Sequence, residues 1–355
     1  MNQVTENWFQ IISHKSESVD NIVAVVELGK ETRLGLVQKG EILVSEKLNV
    51  IQGESFKGHF SRVVHSLGSL CKNHGIKLIN CVGLCLFVEG IVDNRNMIPL
   101  SKSKYFEEMR DFNFKEWVQI NTGLQLRMEN ITRSELLGEW SYGVGKGCEN
   151  ILQFSIGNRI ATSVIMNDEV LVGRNFSQGL LGGHVIVKRN GRKCNAPCNS
   201  SGCLESEASE RVLIQLAKEH ELYKQSSLRN VSVIDFPELR AHIKNGDDCA
   251  KQILDHCIEY WALGLVSLAH LFEPEMIIIG GKLVHEDDSI LQSIRSVFDQ
   301  RVWEERRGVK INKSSASDNA SFRGASYIFE TNRKIELLYG YPSGVLIYHY
   351  RVLQD

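Results

Sequence analysis

Cys194, Cys198 and Cys203 are the residues whose type and spacing speak most directly of chemistry, since three of the nine cysteines fall within ten positions. Clustered thiols can pair as disulfides or ligate a metal. Residues 1–7 lack a basic stretch leading into an apolar one, so no secretory signal is visible and a cytoplasmic chain is expected. In that compartment such a cluster reads as metal-binding rather than disulfide-forming. The remaining cysteines, Cys71, Cys81, Cys85, Cys148, Cys249 and Cys257, are scattered through apolar or helical contexts where a buried free thiol is ordinary. Glycines form a second set. Gly280-Gly281 closes an apolar run, whereas Gly143-Val144-Gly145-Lys146-Gly147 fails as a phosphate loop. That motif needs glycine where Trp140 stands and Ser or Thr where Gly147 stands, so a turn is the better reading.

These residues need elements to hold them. With 355 residues, 43% hydrophobic and 24% charged, the chain has material for about two domains, each with its own core. A net charge of -2 gives no global field for nucleic acid, and Arg306, Arg307, Lys310 and Lys313 read as a solvated basic face. The most apolar long run without a formal charge, residues 260–272, falls short of the roughly 20 residues that span a bilayer, so no membrane partner is expected. Residues 22–28, 33–37 and 41–44 read as three strands of a β-meander. Residues 56–74 then place Phe60, Val63, Val64, Leu67 and Leu70 at helical spacing, and residues 78–88 read as a strand buried on both faces. The grammar repeats: strands at 149–156 and 160–166, a return at 169–173, helices at 212–219 and 250–271, and a buried strand ending at Gly281. Two such cycles predict an α/β protein with two lobes and a cleft, the actin-like ATPase (ribonuclease H-like) architecture. The expected division is an arm over 1–21, lobes over 22–130 and 131–331, and an extension over 332–355. Residues 335–341 and 345–352 of that extension read as a β-hairpin around Pro342-Ser343-Gly344.

From Ile22 to about Phe329 the sequence resembles the ROK family of repressors, open reading frames and sugar kinases. Gly183-His184, a nine-residue spacer, Cys194, Cys198 and Gly202-Cys203-Leu204-Glu205 resemble that family's Gly-His and cysteine motif. Glu89-Gly90-Ile91-Val92-Asp93, Glu129-Asn130 with Leu137-Gly138-Glu139, and Glu273-Pro274-Glu275 with Gly280-Gly281 agree with three further family stretches. The first cysteine pair is two residues wider than in the family, which the Asn195-Ala196-Pro197 loop can absorb. His184, Cys194, Cys198 and Cys203 then supply one imidazole and three thiolates, the closed set that structural Zn2+ prefers, in a loop over 184–203.

The resemblance also shows what is missing. Its kinases place a catalytic Asp after Glu-Asn, and here that position is Ile131. Isoleucine accepts no proton, and losing a general base costs about 10²–10⁴-fold in rate. The phosphate turn becomes Glu27-Leu28-Gly29-Lys30-Glu31, which directs an acid toward a triphosphate, and Gly-Thr-Gly becomes Gly157-Asn158-Arg159. Gly29, Gly157, Gly280 and Gly281 are thus nucleotide-side remnants, and ATP with Mg2+ is doubtful as a cofactor. On the sugar side Leu181 replaces a Glu, leaving Asn130, His184 and Glu205 as ligand-binding candidates. The expectation is a non-catalytic relative that senses a sugar-like ligand or resembles a transcriptional regulator, with no catalytic residue and a homo-oligomeric, dimeric state. The alternatives are an ATP-dependent sugar kinase with an atypical site, and an interaction protein with a vestigial cleft. The family's DNA-binding module needs roughly 35 residues, and only 21 precede Ile22, so no visible module encodes DNA binding.

Overall fold

The structure is a computed structural model describing residues 21–330 apart from 30, 104–105, 196 and 316–318. The expected C-terminal hairpin and nearly all of the expected arm lie outside the described residues. Strands β1 (Ile22–Leu28), β2 (Thr32–Gln38) and β3 (Glu41–Leu48) form the meander, followed by helix α1 (Phe56–Asn73) and strand β4 (Gly83–Val88). A short hairpin, β5 (Val92–Asp93) and β6 (Ile98–Pro99), precedes α2 (Phe114–Thr122) and β7 (Leu126–Asn130). The sheet order is β3-β2-β1-β4-β7, antiparallel within the meander and parallel for β1-β4-β7. The β-branched run of β1 suits a strand covered on both faces. Ala24 and Val26 meet Phe56, Phe60 and Leu67 of α1, while Val23 and Val25 lie in a second cluster with Phe322 and Ala325.

Helix α3 (Ile131–Tyr142) leads to the second sheet. Its strands are β8 (Ile151–Ile156), β9 (Ile160–Met166) and β10 (Glu169–Val170), then, beyond helices α4 (Leu204–Ala208), α5 (Leu213–Glu219), α6 (Phe236–Lys244) and α7 (Asp248–Phe272), strand β11 (Met276–Gly280). Helices α8 (Lys282–Glu286) and α9 (Asp288–Arg301), strand β12 (Lys310–Lys313) and helix α10 (Ala320–Glu330) complete the described chain. The order β10-β9-β8-β11-β12 repeats the first sheet's plan of two antiparallel pairings followed by two parallel ones. One face packs on α7 through Leu152, Phe154, Trp261 and Leu265, and the other meets α3 through Ile151, Ile278, Leu136 and Trp140.

Helices α3 and α10 therefore lie between the sheets. They cross closely because Gly138 and Gly324 carry no side chain: a Cβ on Gly138 would sit 2.0 Å from the Ala320 carbonyl oxygen, and one on Gly324 would sit 2.1 Å from that of Ser134. The strand expected over 78–88 is shorter than its apolar run. Residues 78–80 form a 3₁₀ turn and the paired register begins at Gly83 opposite Val23, since β1 starts at Ile22, whose carbonyl accepts from the Val82 N–H, and offers residues 78–81 nothing to pair with.

Candidate functional site

The cysteine loop is seated on β9 by two glycines. Gly183 lies so close to the strand that a Cβ would come within 2.1 Å of the Ile160 carbonyl oxygen, and Gly182 abuts Thr162. This contact fixes the single 3₁₀ turn Gly182–His184, which presents His184. On the far side Gly202 adopts φ +73°, with the Lys188 carbonyl against its α-carbon, and delivers Cys203 to the start of α4. Bridges Ile186–Cys203 and Lys193–Ser201 close the loop, and the Cys194 N–H donates to the Ser200 carbonyl at 2.7 Å. One residue that sequence reading missed anchors it. Glu207, fully buried, accepts from the Arg192 backbone N–H and from Arg192 Nη1 at 2.8 Å, while Arg192 Nη2 reaches Glu219 at 2.7 Å. Nothing in the order of types distinguishes Glu207 from a surface acid. The signal was only its place, four residues beyond Cys203.

One ligand atom from each of His184, Cys194, Cys198 and Cys203 lies within 4.8 Å of all the others. The His184 Nδ1–Cys194 Sγ and Cys198 Sγ–Cys203 Sγ separations are 3.7 and 3.6 Å. Tetrahedral bonds of about 2.0–2.3 Å to nitrogen and sulfur imply ligand separations of roughly 3.5–3.8 Å, so the cluster fits a closed four-ligand metal site. Burial raises the Cys194 thiol to about 12, with Cys203 the next contributor, and burial likewise raises Cys203. A central dication supplies the positive charge that lets such thiols ionise.

A cleft of about 200 Å³ opens beside the second sheet, lined among others by Glu135, Gln153, Ser155, Gly157, Arg159, Gly280 and Gly281. Gly157, Gly280 and Gly281 thus come together here, whereas Gly29 lies in the first sheet's turn beside Glu89. Position 281 requires glycine, because its φ is +116° and a Cβ would sit 2.0 Å from the Ile156 carbonyl oxygen. Asn130 belongs to another network. It caps α3 by accepting from the Arg133 N–H and donates through Nδ2 to the Gly90 carbonyl at 2.5 Å. Glu129 accepts there from Asn94 Nδ2 at 2.7 Å and pairs with Arg133 at 3.4 Å. Glu205, in the first turn of α4, accepts from the Ile160 N–H at 3.4 Å and faces Arg211 at 3.6 Å. Among the described residues no hydrogen bond joins Asn130 to His184 or Glu205.

The sequence profile of the ROK family matches residues 24–332. This chain belongs to the ROK family. A glucokinase of Halalkalibacterium halodurans is 28% identical over 195 residues, covering 54% of this chain and 58% of that protein. The xylose repressor of Bacillus spizizenii is 28% identical over 248 residues, covering 70% and 60%. The chain thus spans less than two thirds of the length of these relatives. Among solved structures, a ROK transcriptional regulator homologous to the E. coli MLC protein aligns with a TM-score of 0.75 at 21% identity, covering 89% of this chain and 79% of that one. A ROK glucokinase of Streptomyces griseus, solved with glucose and AMPPNP, aligns at 0.70 and 22% identity, covering 86% and 98%. These likenesses establish the ROK kinase fold for this chain, and the relatives include both kinases and repressors.

Ile131 begins α3 and packs against the apolar cluster of Val23, Val25, Phe87 and Phe322. Glu139 is engaged by the Ser314 and Ser315 hydroxyls at 2.5 and 2.9 Å and by the Ser315 and Val144 N–H groups. Such a carboxylate fastens loops rather than awaiting a proton. Glu31 corrects one expectation: its carboxylate pairs with Lys47 at 2.8 Å on the surface, because the β2–β3 pairing offers it a cation there. Of the basic residues, Arg307 and Lys310 are exposed as expected, and Arg307 pairs with Glu304 and Lys313 with Asp288.

Proposed function

We propose that this chain is a non-catalytic ROK protein that binds a sugar-like ligand and acts as a sensor or transcriptional-regulator-type relative. The observation that carries this reading is Ile131, an aliphatic residue packed on an apolar cluster where the family's kinases use a carboxylate. Asn130, His184 and Glu205 are the proposed ligand contacts, and His184, Cys194, Cys198 and Cys203 are the proposed ligands of a structural Zn2+. Thiolate and imidazole donors closed around a tetrahedral centre suit a structural zinc and leave no open position for a substrate. The metal's role is to hold the loop that carries His184 and leads into Glu205. A cytoplasmic homodimer without a membrane partner completes the reading.

A second reading, an ATP-dependent sugar kinase with an atypical site, draws on the similarity to glucokinases. Steady-state assays with ATP, Mg2+ and glucose, xylose, mannose or N-acetylmannosamine separate the two. No turnover above background, with calorimetric binding of at least one sugar, is the expected outcome. Robust turnover overturns the proposal in favour of the kinase, and neither turnover nor binding favours a vestigial cleft.

A further inference from the structure

The four ligand groups of the cysteine loop reach the cluster by two different routes. His184 and Cys203 are placed by the second sheet and its helices. The turn carrying His184 is pinned where the Gly182 N–H donates to Thr162 Oγ1 at 2.9 Å. Cys203 precedes α4, and α4 is seated on α7. A Cβ on Gly264 would lie 2.4 Å from Leu204 Cδ2, and Trp261 Nε1 donates to the Ala208 carbonyl at 2.8 Å. Cys194 arrives from the other side of the loop, two residues beyond Arg192. Arg192 is fastened to this frame through its whole length. Its N–H donates to Glu207 Oε1, its Nη1 donates to Glu207 Oε2 at 2.8 Å, and its carbonyl accepts from the Gly202 N–H at 2.9 Å and from Ser206 Oγ at 3.0 Å. The chain comes this close because residue 191 is glycine: a Cβ there would stand 2.3 Å from Glu207 Oε1. Both oxygens of the fully buried Glu207 thus fix one residue, backbone and side chain together.

We propose that Glu207, acting through Arg192, is a positioning residue for the metal: it holds the segment leading to Cys194 against α4 in the metal-free chain, so that zinc closes a site whose base is already assembled. This inference rests on the reading of His184, Cys194, Cys198 and Cys203 as ligands of a structural zinc. The physical reason is the cost of ordering. A ligand placed beforehand need not be ordered by the metal, and the affinity rises by the cost avoided. Partners that orient metal ligands act in this way, and losing one typically costs about 10–100-fold in metal affinity. Glu207 grips the chain two residues from Cys194 rather than the ligand itself. Its loss therefore belongs at the lower end of that span, about ten-fold, and leaves the coordination sphere unaltered.

Competition with a chromophoric zinc chelator on the full chain measures the affinity, and the visible absorption of the cobalt-substituted protein reports the coordination sphere. Glu207→Gln keeps the shape of the side chain and removes its charge. It is expected to weaken zinc about ten-fold while the cobalt spectrum stays that of the unmodified protein. Arg192→Lys keeps the charge and every backbone contact but loses the guanidinium fork, and is expected to weaken zinc by a smaller factor. The Arg192 side chain is partly exposed, so this second variant carries the test if the buried change in Glu207→Gln prevents folding. Hydrogen exchange supplies a reading without metal. In the zinc-free unmodified chain the amides of residues 185–194 should stay protected, and in zinc-free Glu207→Gln they should exchange faster while those of β8 and α7 do not change. Uptake of one zinc with an affinity that neither variant shifts by more than about two-fold overturns the proposal and leaves the zinc reading standing. An altered cobalt spectrum in Glu207→Gln, or loss of protection across 185–194 whenever zinc is removed from the unmodified chain, overturns it as well. An unmodified protein that takes up no zinc overturns both.

Discussion

At Ile131 an aliphatic side chain occupies the first turn of α3, against Val23, Val25, Phe87 and Phe322. A carboxylate placed there meets hydrocarbon rather than a substrate hydroxyl. Ile131→Asp is therefore expected to leave sugar phosphorylation at background and to lower stability by about 1–3 kcal/mol, the cost of a partly buried, unpartnered polar group. Thermal denaturation and a coupled ATP assay read both; restored turnover would mean that only the base is missing. The cysteine cluster makes an independent prediction. Cys198 is the half-buried one of the three cysteines, so Cys198→Ser removes a proposed thiolate ligand while disturbing little packing. Metal analysis of the unmodified protein is expected to give about one zinc per chain and the variant markedly less, with a lower melting temperature. Equal zinc content in both would remove Cys198 from the ligand set.

Elements explain which glycines matter. In a helix Ala exceeds Gly by about 1 kcal/mol, so a Gly→Ala change stabilises wherever space permits. At Gly324 a Cβ would stand 2.1 Å from the Ser134 carbonyl oxygen, and overpacking of about 1–3 kcal/mol outweighs the propensity gain. At Gly68 in α1 nothing lies within 4 Å of the added carbon. Gly324→Ala should therefore lose stability and Gly68→Ala gain a few tenths to 1 kcal/mol, measured by urea denaturation; equal signs would refute the close crossing of α3 and α10. Helix α1 carries a pH dependence at its start. Hydrogen bonds from Arg62 hold the Glu54 carboxyl at about 2, below its ordinary 4.5, and burial lowers His59, which hydrogen-bonds Thr32. Both folded-state values are depressed, so both contributions are present at neutral pH and are lost on acidification. His59's share goes first, below about 6.5, and Glu54's goes between about 4.5 and 2. Glu54→Gln should flatten the more acidic part of that stability profile. Much of this level was legible in the sequence. The β-branched run of β1, the three-and-four spacing of α1 and the clustered cysteines each report a local physical requirement. The covering of the first sheet by α10 was not, because apolar periodicity tells that a helix has a buried face and not which sheet receives it. The orientation of Glu31 and the anchoring by Glu207 were hidden for the same reason: a charge's partner is set by tertiary register.

Across the whole molecule the two sheets are joined by more than the crossing helices. Arg133, fully buried on α3 beside the first sheet, donates through Nη2 to the carbonyls of Phe176 at 2.9 Å, Gln178 at 3.1 Å and Val172 at 3.4 Å, all in the loop after β10 of the second sheet. From the β5–β6 hairpin Arg95 lies 5.3 Å over the Phe176 ring, and Asn94 holds Glu129, the acid that pairs with Arg133. The loop is thereby tied to the end of the first sheet at the mouth between the two halves. A buried guanidinium serving three carbonyls is costly to remove, since the carbonyls lose their donor and Glu129 its cation. Arg133→Ala should lower stability by about 3–5 kcal/mol. Arg95→Ala removes the cation–π contact with Phe176, worth about 0.5–1 kcal/mol, and should cost less than Arg133→Ala. The second-site change Glu129→Gln separates the two causes. Glu129 keeps donors in Asn94 and in the Asn130 N–H, so discharging it should recover less than half of the loss. Hydrogen exchange gives the decisive reading. In Arg133→Ala, amides of residues 171–179 should exchange faster while those of β1 and β11 keep their order of protection, because the fastening is local to that loop and the two cores are not. Unchanged exchange across 171–179 would mean that the loop is held by its own packing, and that the two halves meet only through α3 and α10.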